Sequence, residues 1–126
     1  MSAIEFRLKE ALEDGTTFEY NLIVDGAVVG MCQLRTKPSK AKILPDGFES
    51  HLYYEIWPEF QGKGYGRKLF GLSLKKLFDL GVKEVVVTCL DGNLPSKNII
   101  ESSGGRLMEQ KKNGRGELMD KYVFRV

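Results

Sequence analysis

The residues best suited to chemistry lie at positions 61–66, Gln-Gly-Lys-Gly-Tyr-Gly, where three glycines alternate with side chains. Glycine lets a backbone approach a ligand in conformations that other residues resist. A helix that starts at such a loop adds unpaired N–H groups and the positive end of its dipole. The pattern therefore predicts a phosphate site, although a tight connection would use the same residues.

The elements on either side of this loop favour the phosphate site. Residues 50–57 are rich in aromatic and β-compatible side chains, and Pro58, which lacks an N–H, follows them. Residues 67–80 carry leucines and phenylalanines at helical spacing, and Gly81 provides a helix stop. The sequence thus predicts a strand, a glycine-rich loop and a helix in succession.

Two common phosphate motifs do not fit. The Walker A motif needs Ser or Thr after its lysine, whereas Lys63 is followed by Gly64. The dinucleotide fingerprint needs G-x-G-x-x-G, whereas the glycines at 62, 64 and 66 give G-x-G-x-G. Nucleotide hydrolysis and NAD binding therefore lose their main support.

Two motifs resemble those of the GNAT acetyltransferase superfamily. Gln61, Gly64 and Gly66 match its Q/R-x-x-G-x-G/A signature. After a predicted strand at residues 85–89, Asn93 and Ser96 open a segment similar to the family's N-x-x-S, short helix and G-G, and the likeness covers about residues 17–126. The resemblance implies a single domain over residues 1–126 of the α/β class (α+β type). In that fold, helices flank a central mixed, mostly antiparallel sheet of six or seven strands.

The same resemblance implies acetyl-CoA as the co-substrate. Its pyrophosphate would lie on the backbone amides of residues 62–66, and its pantetheine arm would pair with the backbone near Ile56 and Trp57. Asn93 would touch the pantetheine or cap the next helix, two roles that are compatible. The expected cofactor contacts are Ile56, Trp57, Gln61, Gly62, Lys63, Gly64, Tyr65, Gly66, Arg67, Lys68, Asn93 and Ser96.

Acyl transfer to an amine needs a base that takes a proton from the nucleophile. Glu55 is the first candidate, directly or through water, because it lies in the strand beside the expected thioester. His51 is the second, since its ordinary pKa of about 6.5 suits proton traffic at neutral pH, and Glu49 is the third. Strand alternation puts His51 and Glu55 on one face, and the sequence does not say which face meets the acceptor. Each is also compatible with an ordinary polar position on an exposed strand face.

The sequence offers no clear proton donor for the departing thiolate. Many GNAT proteins have a tyrosine four residues after the position of Ser96, where this chain has Ile100. Tyr122, on the last predicted strand, or a water could replace it, although packing is the ordinary role of such a tyrosine. The thiolate could also leave without an acid.

The rest of the chain predicts strands and turns. Residues 17–24 and 27–35 form a hairpin through Asp25-Gly26, and residues 106–112 and 117–126 form another. Residues 4–12 alternate like a strand at their start and have helical spacing at their end, which favours a first strand that breaks near Glu10. The family usually has one or two helices between its first two strands, and residues 10–16 are too few for them. Residues 37–47, with lysines at 37, 40 and 42, predict a long loop that attracts an anionic acceptor or is simply solvated.

Composition excludes several classes of function. The 19 basic and 17 acidic residues give a net charge of +2, which argues against nucleic acid or an acidic membrane as a partner. No apolar run approaches the ~20 residues that span a bilayer, and no signal-peptide pattern starts the chain, so a cytoplasmic protein is expected. Cys32 and Cys89 are expected to be buried thiols, and with one histidine they predict no metal site.

Three functions are compatible with these residues. The first is an N-acetyltransferase that moves an acetyl group from acetyl-CoA to a small-molecule, peptide or protein amine by direct attack on the thioester. The second is a non-catalytic acyl-CoA-binding module, regulatory or structural, which the missing tyrosine and the short acceptor region favour. The third is a generic phosphate site. The oligomeric state is open, with a homodimer among the options.

Overall fold

The computed structural model describes residues 3–39 and 44–125. These residues form seven strands, two α-helices and a short 3-10 turn at Pro58–Phe60. In chain order the elements are β1 (Ile4–Ala11), β2 (Thr17–Val24), β3 (Ala27–Ser39), β4 (Ser50–Ile56), α1 (Tyr65–Asp79), β5 (Glu84–Leu90), α2 (Leu94–Ser102), β6 (Arg106–Lys112) and β7 (Leu118–Arg125). In this part of the chain no helix has the length and apolar character needed to cross a membrane.

The strands form two antiparallel sheets, ordered β1-β2-β3-β4 and β5-β7-β6. β4 lies beside β5, so the two sheets adjoin there, and both helices pack near this junction. The predicted α+β fold with six or seven strands is confirmed. The division of the sheet between β4 and β5 was not predicted, and it creates the space described below.

Local sequence explains most of the element boundaries. Asp25 and Gly26 have φ values of 49° and 84°, which close the predicted two-residue hairpin between β2 and β3. At the end of α1, the N–H of Gly81 donates to the carbonyl of Phe78 and the N–H of Val82 to that of Leu77, at 3.0 and 3.1 Å. This pair of bonds is the Schellman arrangement, as the glycine stop predicts.

Two predicted boundaries were wrong. β1 does not break near Glu10 but continues to Ala11 through a register shift between Leu8 and Glu10. β3 does not end at Arg35 but runs to Ser39, which pairs with Ser50 of β4. The pairing is irregular over the intervening residues, so the missing N–H of Pro38 breaks no regular ladder there. Lys37 is therefore a strand residue, and Lys40 and Lys42 lie outside the described residues.

The main core lies between the sheets and the helices. Its fully buried members come from both sheets and both helices and include Leu22, Leu34, Phe70, Val85 and Ile100. A smaller cluster of Leu44, Phe48 and Met119 lies apart from it. Because the core packs α1 and α2 against both sheets, it fixes the two helix starts relative to the end of β4.

Candidate active site

A cavity of about 670 Å³ opens where the end of β4, the loop at residues 61–66 and the start of α2 meet. Both motifs that the sequence analysis singled out contribute to its walls. The lining residues are Tyr54, Glu55, Ile56, Pro58, Phe60, Gln61, Gly62, Gly64, Tyr65, Gly66, Arg67, Asn93, Pro95, Ser96 and Ile99. The fold therefore brings two segments about thirty residues apart into one site.

The glycine-rich loop presents backbone amides to this cavity. Gly64 is the N-cap of α1 with φ = 86°, a left-handed conformation that glycine adopts readily, and no side chain caps the helix. A Cβ on Gly62 or Gly64 would meet no atom within 4 Å. The first turn contains no acidic residue, so the N–H groups and the dipole of α1 favour an anion.

One edge of β4 faces the cavity. The N–H of Trp57 donates to the carbonyl of Val29 in β3 at 2.9 Å. The carbonyl of Trp57 accepts from the N–H of Phe60, also at 2.9 Å. Both backbone groups of Trp57 are thus used within the chain, and the predicted pairing of pantetheine with this residue finds no free partner. Because alternate residues of a strand point their backbone groups to opposite edges, those of Ile56 point away from β3 and into the cavity.

Side chains fasten the loop to its surroundings. The Gln61 amide nitrogen donates to the carbonyl of Ile56 at 2.9 Å, which holds the loop against the end of β4. The Arg67 guanidinium donates to the hydroxyl of Ser102 at the end of α2. Gln61 and Arg67 therefore shape the cavity wall, in addition to lining it.

The start of α2 forms the opposite wall. Asn93 is its N-cap, and the side-chain oxygen accepts from the N–H of Ser96 at 3.3 Å, the capping role that the sequence allowed. The Ser96 hydroxyl lies 3.2 Å from the Tyr54 hydroxyl. This contact joins α2 to β4 across the cavity.

Lys97 holds α2 in place from its other side. Its ammonium group lies 2.5 Å from Asp91 and 3.2 Å from Asp120, and the Asp120 side chain is fully buried. The Gln110 amide also donates to Asp120 at 2.7 Å. The hydrogen bond to Asp91, followed by that to Asp120, raises the pKa of Lys97, so the cation persists. Nothing in the sequence pattern pointed to this cluster.

Glu55 lies at the rim of the cavity with an exposed carboxylate. The Tyr53 hydroxyl donates to this carboxylate at 3.0 Å. Gly30 of β3 pairs with the next residue, Ile56. A Cβ on Gly30 would be 2.3 Å from the Glu55 carbonyl oxygen, so the glycine permits the close approach of β3 and β4. Of the three predicted bases, Glu55 is the one that the fold places on the cavity.

His51 lies elsewhere. It is only 5% exposed, and its Nδ1 accepts the N–H of Val86 in β5 at 2.9 Å. Burial lowers the pKa of His51, and an Nδ1 that accepts a hydrogen bond is unprotonated. His51 joins the two sheets at the start of β4, a role that alternation along one strand could not reveal. It does not line the cavity, and neither does Glu49.

Tyr122 is also away from the cavity. Its side chain is fully buried, and its hydroxyl donates to the carboxylate of Glu101 in α2 at 2.7 Å. Burial, followed by the bond to Glu101, raises the pKa of Tyr122 above its usual range. The structure thus gives Tyr122 the packing role, and Ile100, where the family tyrosine would stand, is fully buried beside it in the core.

Two predicted basic contacts lie outside the cavity lining. Lys63 is 6.0 Å from the ring of Phe60, and Lys68 borders a neighbouring surface depression with Arg67. Conversely, sequence reasoning missed several lining residues: Tyr54, Pro58, Phe60, Pro95 and Ile99. The two prolines flank the motifs and could have been included, whereas the other side chains reach the cavity only through tertiary packing.

Comparison with known proteins agrees with this geometry. A family model described as the acetyltransferase (GNAT) family matches residues 2–104, most of the chain. The chain belongs to the GNAT acetyltransferase family. No protein in the curated set matches this GNAT chain.

Solved structures show the same fold at low identity. A dodecameric spermidine N-acetyltransferase from Vibrio cholerae superposes with a TM-score of 0.72 at 18% identity, over 89% of this chain and 66% of that one. A ribosomal-protein alpha-N-acetyltransferase in complex with coenzyme A gives 0.71 at 14%, over 90% and 64%. A microcin self-immunity acetyltransferase in complex with acetyl-CoA and AMP gives 0.69 at 17%, over 90% and 63%. This GNAT chain spans less than two thirds of the length of each.

The cavity combines an anion site with an open strand edge. The loop amides and the helix start suit an anionic group, and the open edge of Ile56 suits an extended chain that carries amides. Cys32 and Cys89 are buried free thiols, and burial raises the pKa of each to about 11, which keeps them unreactive. Within residues 3–39 and 44–125, no group of three or more His, Cys, Asp or Glu side chains is arranged to hold a metal ion.

Proposed function

We propose that this protein transfers an acetyl group from acetyl-CoA to an amine. The observation that carries the proposal is the single cavity to which both GNAT motifs contribute, between the glycine-rich loop, β4 and α2. Family membership supports the acyl transfer, and two of the similar structures were solved with CoA or acetyl-CoA.

The donor binds along the cavity from the loop to β4. The amides of residues 62–66 and the start of α1 hold the pyrophosphate by dipoles rather than by a metal ion. The guanidinium of Arg67 and the ammonium groups of Lys63 and Lys68 add positive charge nearby. Ile56 offers its backbone N–H to the pantetheine arm, and this extended pairing directs the thioester towards Tyr54 and Glu55.

Glu55 then acts as the base. Its carboxylate lies at the cavity rim and is held by the Tyr53 hydroxyl at 3.0 Å. The carboxylate takes a proton from the incoming ammonium or amine, directly or through a water, because only a neutral amine can attack the thioester carbon. The new C–N bond forms as the C–S bond breaks, so no acyl-enzyme is needed.

The acceptor side of this site is open. β1 and β2 are joined by only five residues, 12–16, where the family usually has helices. On the face of β4 that carries Tyr53 and Glu55, both side chains are exposed. The similar structures include a spermidine acetyltransferase and a ribosomal-protein alpha-N-acetyltransferase, whose acceptors are a small polyamine and a protein amine. The proposed acceptor is accordingly an amine of one of these two kinds.

The test is thiol release from acetyl-CoA in the presence of an amine panel that includes spermidine and short peptides with free N-termini. We expect Glu55→Gln to lower turnover on the order of 100-fold while the affinity for acetyl-CoA stays within about twofold. Glu59→Gln is the matched control, because Glu59 is exposed and lies outside the cavity lining. It should behave as wild type.

Three outcomes contradict parts of this proposal. Wild-type turnover in Glu55→Gln removes Glu55 from the reaction. Saturable acetyl-CoA binding without amine-dependent thiol release points instead to a non-catalytic acyl-CoA-binding module. Failure to bind CoA at all excludes both functions.

A further inference from the structure

Tyr54 occupies a position that the sequence did not single out. It lies two residues before Ile56 on β4, so its backbone faces the same open edge. Its ring packs edge-on against Phe70 of α1, with ring centroids 5.4 Å apart. Its hydroxyl ends 3.2 Å from the Ser96 hydroxyl, on the cavity wall between β4 and α2.

A leaving thiolate in this cavity needs a proton donor or at least a hydrogen bond. A thiolate that forms between apolar walls lacks the water that would solvate it, and an unpaired buried charge is costly. The cavity polarises the sulfur only through groups that line it. The lining offers two hydroxyls in contact with each other between β4 and α2, those of Tyr54 and Ser96, whereas Tyr65 lies at the phosphate end, in the first turn of α1.

We propose that Tyr54 protonates the sulfur of departing CoA and that Ser96 returns a proton to Tyr54. This inference rests on the proposed acetyl transfer and deepens it by naming the residue that acts on the leaving group. The proposal assigns the proton donor to a tyrosine of β4. The position in α2 where many GNAT proteins have a tyrosine is Ile100 in this chain, and isoleucine cannot donate a proton.

The proposed step balances. The amine nitrogen forms the C–N bond and loses one proton to Glu55, while the C–S bond breaks with its electron pair on sulfur. The Tyr54 O–H bond breaks and an S–H bond forms, which gives neutral CoA thiol. The Ser96 hydroxyl, already within hydrogen-bond distance, donates to the Tyr54 oxygen and recovers a proton from water, and the proton on Glu55 returns to solvent.

The environment of Tyr54 suits this role. Burial raises the pKa of Tyr54, so the phenol carries its proton throughout the neutral range. The same burial disfavours a free thiolate at this place, which favours proton transfer to sulfur. Tyr122 offers no alternative, because its hydroxyl already donates to Glu101 and its side chain is fully buried.

The first measurement is steady-state turnover of Tyr54→Phe, which removes the hydroxyl and keeps the ring against Phe70. We expect kcat to fall at least tenfold, with a dissociation constant for acetyl-CoA within about twofold of wild type. Tyr20→Phe is the matched control, because Tyr20 is a buried tyrosine that stacks on Phe6, away from the cavity. Unchanged kcat in Tyr54→Phe overturns the proposal, as does a loss that lies entirely in acetyl-CoA affinity.

The second measurement needs no amine acceptor and so separates this inference from the proposed function. CoA labelled with ¹³C next to its sulfur is bound to the protein and titrated by NMR, which reports the pKa of the bound thiol. A Tyr54 hydroxyl that donates to sulfur stabilises the thiolate, so Tyr54→Phe should raise that thiol pKa by about one unit. An unchanged thiol pKa shows that Tyr54 does not reach the sulfur.

Ser96→Ala covers the case in which Tyr54→Phe folds poorly. It leaves Tyr54 in place and removes only the hydroxyl that returns its proton, so we expect a smaller fall in kcat, about threefold, measured at saturating acetyl-CoA. A Ser96→Ala variant with wild-type kcat contradicts the relay. If wild-type protein binds CoA without transferring the acetyl group, the proposed function fails while the NMR titration still decides whether Tyr54 contacts the sulfur.

Discussion

The two ends of β4 differ in how they are held. At its start, His51 accepts the N–H of Val86 and joins the strand to β5. At its end, the backbone of Ile56 faces the cavity instead of a neighbouring strand, and its carbonyl is satisfied by the Gln61 side chain. The candidate site therefore lies at the end of β4 opposite to the His51 bond that joins β4 to the second sheet. The open end is therefore free to bind an extended ligand.

The open end of β4, at Ile56, is enclosed by a loop and a helix, whereas the closed end, at His51, is joined to a strand. The loop at residues 61–66 closes one side, and α2 closes the other through the Tyr54–Ser96 contact and the ion pairs of Lys97. Changes at the open end should alter ligand binding, and changes at the closed end should alter stability alone. Three substitutions test that distinction.

The largest expected effect is at the loop. Gly64→Val places a branched side chain where a phosphate would meet the backbone and forces valine towards φ = 86°, which it resists. We expect acetyl-CoA affinity to fall about 100-fold, which corresponds to about 2.7 kcal/mol. Isothermal titration calorimetry measures the change.

Gly116→Val is the control for backbone strain. Gly116 lies in the β6–β7 turn with φ = 76°, and a Cβ there, as at Gly64, would meet no atom within 4 Å. Both variants should lose a similar amount of stability, but only the loop variant should lose affinity. Equal affinities would show that the loop does not bind the phosphates.

A smaller effect is expected where α2 is fixed. Lys97→Met removes the cation beside the fully buried Asp120, which keeps Gln110 as its remaining neutral partner. We expect the melting temperature to fall by roughly 5 °C and acetyl-CoA affinity to fall severalfold, because the α2 wall loosens. Calorimetry with and without acetyl-CoA measures both.

Lys75→Met repeats the substitution at an exposed position of α1. It should leave the melting temperature and the affinity close to wild type. If Lys97→Met lowered stability without any change in affinity, α2 would not be part of the open end.

The sequence predicted the parts of this site that local patterns encode. The glycine-rich loop, its helix, the Asp25-Gly26 hairpin and the Asn93 cap each depend on residues that are close in the chain, where backbone preference and side-chain spacing act directly. The bounds of α1 were predicted within two residues at the start and one at the end. These features also carried the family resemblance.

The missed parts depend on contacts between distant residues. Tyr54 meets Ser96 across 42 positions, and His51 meets Val86 across 35, so neither contact is visible in a local pattern. The sequence predicts that Trp57 pairs with a ligand, but its N–H bonds to Val29. Strand alternation alone does not say which edge of a strand is covered. The sequence shows which side chains can donate or accept hydrogen bonds, but it does not show which partner each of them contacts.

The smallest expected effect is at the closed end. His51→Leu leaves the N–H of Val86 without its acceptor, so we expect the free energy of unfolding in urea to fall by about 1 kcal/mol. His51→Asn can keep an acceptor near the position of Nδ1 and should lose less. Neither variant should change acetyl-CoA affinity by more than about twofold, and a larger change would show that the two ends of β4 are coupled.

The pH dependence of stability sharpens this last test. Burial lowers the pKa of His51 in the folded protein below its ordinary value of 6.5, so between these two pKa values the unfolded chain binds more protons than the folded one. Wild-type stability should therefore decrease as the pH falls through and below 6.5. His51 is the one histidine of the chain, and the asparagine of His51→Asn does not titrate in this pH range. The difference in unfolding free energy between wild type and His51→Asn should therefore shrink from pH 7.5 to pH 5.5. Parallel stability curves over this range would mean that the Val86 contact does not hold His51 in its neutral form.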